Sequence, residues 1–219
     1  MNKPVIRLIL AAMLASASGA LFAQPAVGDT YVYRVVNGYS NETRGQINYR
    51  IETVAAGRVT VAVTPDVPAL GPAHTEIYAT DGNWLRHPVT NHDQPVEHEF
   101  SPPYPAYLFP LDTGKTWSER VTATDAASGQ RRSVRVDAEV LGSERITTPA
   151  GAFDTIKVRR RVYAGDWEQW RFETNITETD WYAPALGRPV RSESNSGYID
   201  QIMCGIMNIC APMKGDWNL

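Results

Sequence analysis

The chain has 219 residues, with 21 Lys or Arg against 24 Asp or Glu and a net charge of −3 at pH 7. That balance removes the basic surplus on which non-specific nucleic-acid binding depends. The length suits one sizeable core, and ten Tyr, six Trp and many Val and Thr favour strands over helices.

At the N-terminus, Lys3 and Arg7 precede an apolar run, Leu8–Leu14, and a small-residue tract, Ala15–Ala20. This is the layout of a secretory signal peptide, and the run is too short for a membrane span. Cleavage is expected after Ala23, with Ala20 as the alternative. No Cys lies near either site to take a lipid anchor. Removal of residues 1–23 leaves 19 basic residues against 24 acidic ones, a net charge of −5. The expected product is a periplasmic or secreted chain without a transmembrane segment. It forms a single β-rich domain over 24–219, with 197–219 as a C-terminal tail.

Period-two alternation starts with Ile47, Tyr49, Ile51 and Thr53, set against Gln46, Asn48, Arg50 and Glu52. A turn at Ala56-Gly57 leads to Val59, Val61 and Val63, and Asp81-Gly82 is a two-residue hairpin signal. Pro65–Pro72 and Pro88–Pro110 hold nine prolines, so both are expected as irregular loops, the second lying across one end or face of the sheet. Alternation returns at Val134, Val136, Ala138 and Val140, and again at Ile156, Val158 and Val162. Such half-buried strands belong to antiparallel sheets with one wet face.

Three phrases carry a resemblance: Phe109–Trp117, Thr147–Thr155 and Trp181–Arg191. They resemble those of a family of exported bacterial domains of unknown function, which is similar in architecture to the lipoprotein-carrier fold. The resemblance spans Gly28–Ser196. It implies an all-β fold, a strongly curved antiparallel sheet forming an open barrel or half-barrel, and it implies no reaction and no cofactor.

Gly114-Lys115-Thr116 invites a phosphate-loop reading, but the Gly required five positions earlier is Phe109. Lys115 is expected as a solvated turn residue. The four histidines, His74, His87, His92 and His98, share one window with Asp93, Glu97 and Glu99. Imidazole and carboxylate suit zinc or copper(II), with His92 and His98 the weaker-choice ligands. The spacing matches no standard pattern, and no metal is expected. Cys204 and Cys210 are six apart, beyond disulfide reach on a continuous helix. In an oxidising compartment a Cys204–Cys210 disulfide is the expected state.

Arg160 is the one charge on the apolar face Ile156–Val162. It would meet an anionic head group if that face lines a cavity, or pair with a neighbouring carboxylate if it does not. No nucleophile elbow is present. The leading reading is therefore a non-enzymatic periplasmic protein holding a lipid-like or apolar partner in its concave face. Its ligand residues would be Arg160, Tyr104, Tyr107 and Phe109. The rivals are a structural or interaction protein with that face packed shut by the tail, an envelope metal-binding protein, and a cryptic hydrolase.

Overall fold

The computed structural model describes residues 24–91, 94–164, 172, 174–199, 204–205, 210, 212–214 and 217–218. The expected signal peptide, residues 1–23, and His92 lie outside these residues.

Eleven strands follow one another as an antiparallel meander. They are β1 (Thr30–Val36), β2 (Thr43–Ala55), β3 (Arg58–Pro65), β4 (His74–Ala79), β5 (Trp84–Asn91), β6 (Gln94–Tyr104), β7 (Thr116–Asp125), β8 (Arg131–Thr148), β9 (Gly151–Ala164), β10 (Thr174–Ala183) and β11 (Arg188–Ile199). Together they curve through 257° into a half-barrel, as the resemblance implies. Two short strands end the chain. β12 (Pro212–Lys214) pairs with β11, and β13 (Trp217–Asn218) pairs with β5.

The turns follow from local chemistry. Ala56 (φ 50°) and Gly57 (φ 76°) supply the two positive φ angles of a tight hairpin whose twist matches its strands. At Asp81-Gly82, the carboxylate of Asp81 accepts from the Asn83 amide at 3.0 Å while Gly82 takes φ 84°. Pro68–Leu70 forms a single 3-10 turn between β3 and β4, within the expected irregular segment.

The second Pro-rich segment differs from expectation. Pro88, Pro95, Pro102 and Pro103 lie inside β5 and β6, which pair with each other through Pro88↔Glu97 and Thr90↔Pro95. The reason is the missing second ladder. The β4–β5 pairing includes only Ile77↔Arg86 and Tyr78↔Trp84, and β6–β7 only His98 to Ser101. Pro88 and Pro95 therefore sit where their strand has one neighbour, and Pro102 and Pro103 fall in the irregular stretch between Glu99 and Tyr104, so no lost N–H breaks a second ladder. Among the described residues of that segment, irregular backbone is confined to the stretch after Tyr104, which runs on to Lys115.

Two cores result. The larger gathers the inward residues of β5–β10, including Val89, Val121, Val134, Val136, Val158, Val162 and Ile176. The smaller, under β1–β4, holds Ile51, Val59, Val61 and Val63, with Tyr31, Ile47, Tyr49 and Tyr78 packed against it. The short β4–β5 ladder joins them on one side. On the other, Arg188 of β11 lies 3.9 Å from the Tyr31 ring and donates to the Tyr33 hydroxyl, which itself donates to Pro189 O at 2.6 Å.

A buried ion network on the concave face

Alternation on β9 turns Val158, Arg160, Val162 and Ala164 inward, and on β10 it turns Thr174, Ile176, Glu178, Asp180 and Tyr182 inward. The pairing Glu178↔Arg160 and Asp180↔Val158 sets Glu178 directly across from Arg160 and Asp180 one step along the same face. Arg160 is 2% exposed. Its Nε donates to Glu178 Oε2 at 2.7 Å, one Nη to Asp180 Oδ2 at 2.8 Å, and the other to Ala106 O at 3.3 Å. A fork of donors facing two carboxylates is the geometry for which guanidinium is suited.

Tyr104 and Tyr107 complete the network. The Tyr104 hydroxyl donates to Glu178 Oε2 at 3.0 Å, and that of Tyr107 to Asp180 Oδ2 at 2.6 Å. Burial, reinforced by these carboxylates, raises both phenols well above their ordinary value. For Arg160, burial opposes the charge, but Asp180 and Glu178 outweigh it and keep the guanidinium charged. The structure thus brings Arg160, Tyr104 and Tyr107 into one hydrogen-bonded unit. Phe109 packs beside it, its ring 6.2 Å from Tyr107 and 5.6 Å from Tyr182.

The segment that carries these tyrosines is tied down along its length. Asn83 accepts from the Tyr107 amide at 2.8 Å and donates to Tyr107 O at 3.0 Å. Trp117 Nε1 donates to Pro105 O at 3.0 Å, and Lys115 Nζ donates to Leu108 O and Pro110 O. Lys115 is thus a fastening for residues 108–110 rather than a turn residue facing only water. Sequence reasoning missed Glu178, Asp180 and Asn83, and took Lys115 for a solvated turn residue. Alternation on 174–182 marks Glu178 and Asp180 as inward, but only the β9–β10 register shows that they meet Arg160.

Two surface depressions lie elsewhere. One of about 520 Å³ is lined by Pro65–Pro68, Gly71 and Pro72, and one of about 280 Å³ by Gln24, Asp29–Tyr31, Ala185 and Leu186. Among the described residues, no group of three His, Cys, Asp or Glu side chains forms a metal centre. His98 sits in β6, 3% exposed, with Nδ1 2.9 Å from Val96 O. Cys204 and Cys210 form the expected disulfide, with Cα atoms 4.3 Å apart. Cys204 and Gly205 are helical in backbone. Among the described residues, no helix is long and apolar enough to cross a membrane.

Comparison with known proteins supports the fold. A family model described as DUF3108-like matches residues 104–198, less than half of the chain but including the whole β7–β10 wall. The structure is similar to that of a candidate lipoprotein of Parabacteroides distasonis. The two share 18% identity with a TM-score of 0.50, over 83% of this chain and 91% of that one. A candidate exported protein of Bacteroides fragilis with a YmcC-like fold aligns at 16% identity and TM-score 0.44, over 84% and 93% of the two chains. The hypothetical lipoprotein YmcC of Escherichia coli aligns at 10% identity and TM-score 0.42, over 77% and 74%. No curated protein matches the chain.

Proposed function

We propose that this is an exported, non-enzymatic envelope protein that acts through its outer surface as an interaction module, its concave face being occupied by its own side chains. One observation carries the reading. The residues nominated for a ligand are spent on one another: Arg160 is 2% exposed, and its donors meet Glu178, Asp180 and Ala106 O. A buried guanidinium already holding two carboxylates has little to offer an anionic head group. The filling comes from the fastened 104–111 segment, with Tyr104, Ala106, Tyr107 and Leu111 all buried in the larger core.

Native mass spectrometry of the protein purified from its own envelope, together with uptake of a fluorescent fatty acid, tests this. The expected result is a bare chain mass and no uptake. A lipid or other small molecule at one per chain overturns it.

The second reading keeps an apolar guest but moves it under the β1–β4 arm. Its support is the smaller core, against which the half-buried Tyr31 and Tyr49 pack. Uptake lost in Tyr49→Ala but retained in Phe109→Ala would favour it.

A further inference from the structure

The alternation that turns Val134 and Val136 of β8 inward turns Arg131, Ser133, Arg135, Asp137 and Glu139 outward. Register sets Arg120 of β7 directly across from Arg135, and Tyr163 of β9 across from it on the other side. Arg161 lies across from Asp137, and Arg159 across from Glu139. Between Arg131 and Glu139, the outer faces of β7, β8 and β9 thus hold Arg120, Arg131, Arg135, Arg159 and Arg161 against Asp137 and Glu139, five positive charges to two negative. The chain as a whole has the opposite sign, −3.

The two acids neutralise only part of this wall. Glu139 accepts from Arg159 at 2.8 Å. Asp137 accepts from Ser118 Oγ at 2.7 Å, while Arg135 Nε stands 3.5 Å from its other oxygen without a hydrogen bond. Arg120 donates to Ser133 Oγ at 2.9 Å. Among the described residues, no acid is within ion-pair distance of Arg120, Arg131 or Arg161, and all three are exposed. Arg120 and Arg135 are like charges on directly opposed positions, an arrangement that costs stability within a sheet. The Tyr163 ring centroid lies 3.9 Å from the Arg135 guanidinium carbon, a cation–π contact that holds this charge beside Arg120.

We propose that this outer wall, centred on Arg120, Arg135 and Arg161, docks the protein on an anionic lipid surface by pairing its guanidinium groups with headgroup phosphates. This names the partner of the outer surface and rests on that surface being the one that works. Guanidinium suits phosphate because its forked donors meet two oxygens at once. The form of the wall favours a membrane over an acidic peptide. β8 and β9 are hydrogen-bonded to neighbours on both sides, so no strand can be added to them. The surface depressions at Pro65–Pro72 and at Asp29–Tyr31 are lined by other segments, so a peptide side chain gains no pocket from them here. A lipid surface needs neither an edge nor a pocket. Arg120 and Arg161 stand two strands apart, about 10 Å, so each can meet a different headgroup. Free phosphate has the same chemistry, but exposed single ion pairs are weak, whereas a surface presents many phosphates together.

Co-sedimentation of the purified chain with two kinds of vesicle, phosphatidylcholine alone and phosphatidylcholine with phosphatidylglycerol, tests the docking. Binding is expected to the anionic vesicles only, and to be lost in high salt. Arg120→Gln combined with Arg161→Gln should lower the partition coefficient about thirtyfold, the usual effect of two basic residues at such a surface. Its far-UV circular dichroism should match the wild type, because both side chains are exposed. Arg34→Gln combined with Arg44→Gln makes the same change of charge at exposed positions of β1 and β2 and should leave binding intact. Equal losses in the two double variants would assign the binding to net charge and overturn the proposal, as would no binding to either vesicle. Inorganic phosphate alone and a polyglutamate peptide are the remaining arms. Binding of either one without binding to anionic vesicles moves the partner to a soluble anion or an acidic protein, and the membrane assignment falls. None of these failures touches the packed concave face, since surface docking is released by salt whereas a guest inside the sheet stays in the native mass.

Discussion

Arg160 is kept inside the sheet by its partners, and this fixes what its removal does. Arg160→Met leaves Glu178 and Asp180 buried without a cation, which should cost about 3–5 kcal/mol. Replacing Arg160, Glu178 and Asp180 together by Met and Leu should cost far less, because an apolar trio leaves no orphaned charge. Urea unfolding at fixed pH measures both. Glu76 behaves differently, because its partners titrate. Burial pushes its carboxyl up, but the His87 charge and the hydrogen bonds from His74 and Tyr78 bring it below the ordinary 4.5. Its stabilisation is therefore complete above about pH 4.5 and is lost as pH falls through the lower folded value. His74 is raised above 6.5, first by its hydrogen bond to Glu76, against the opposing effect of burial. That contribution is complete below about pH 6.5 and is lost as pH rises through the raised value. The stability difference between wild type and Glu76→Gln should therefore peak between about pH 4.5 and 6.5. Urea midpoints taken from pH 3 to pH 9 would show a flat difference if the pair were uncoupled.

Among the elements, the hairpins were the part most open to reading from sequence. Alternation and two-residue turn chemistry are local, so Val59–Val63, Val134–Val140 and Ile156–Val162 were assigned to the right faces. Pro88–Pro103 were misread because the damage a proline does depends on whether its strand has a second neighbour, a non-local fact. Local backbone also marks two substitutions of opposite sign. Ala56 has φ 50°, which costs a residue with a Cβ, so Ala56→Gly should leave the hairpin as stable or gain up to about 1 kcal/mol. Gly45 has φ 150°, and a Cβ there would come within 2.6 Å of Asp66 Oδ1 and 2.8 Å of a Val67 methyl carbon. Gly45→Ala should cost about 1–3 kcal/mol by thermal or urea unfolding. The Asp66 contact to the Gln46 amide should be lost with it.

For the molecule as a whole, curvature was legible while the site was not. A meander with turn clusters implies neighbouring antiparallel strands, but no pattern in the chain says that Glu178 meets Arg160 or that Glu76 meets two histidines. Both follow from register, which one residue of slip would reverse. The four histidines drew attention as a window in sequence, and the fold divides the three described ones by strand, with His74 and His87 on either side of an acid outside that shortlist. The tail acts at this scale too, since β12 pairs with β11 and β13 with β5, both following the disulfide-bearing segment. Cys204→Ser with Cys210→Ser should cost about 2 kcal/mol in the chain-entropy view of a short closed loop. Intact mass after alkylation without reduction should show no modified thiol in the wild type.

The unbroken order β1 to β11 has a mechanical consequence. Because each strand hydrogen-bonds to its sequence neighbours, a pull at residue 24 peels β1 from β2, then β2 from β3, one pair of bonds at a time. No long ladder is sheared at once. The first resistance is then the Arg188 grip on Tyr31 and Tyr33. Single-molecule stretching should give a run of small steps with one larger early one.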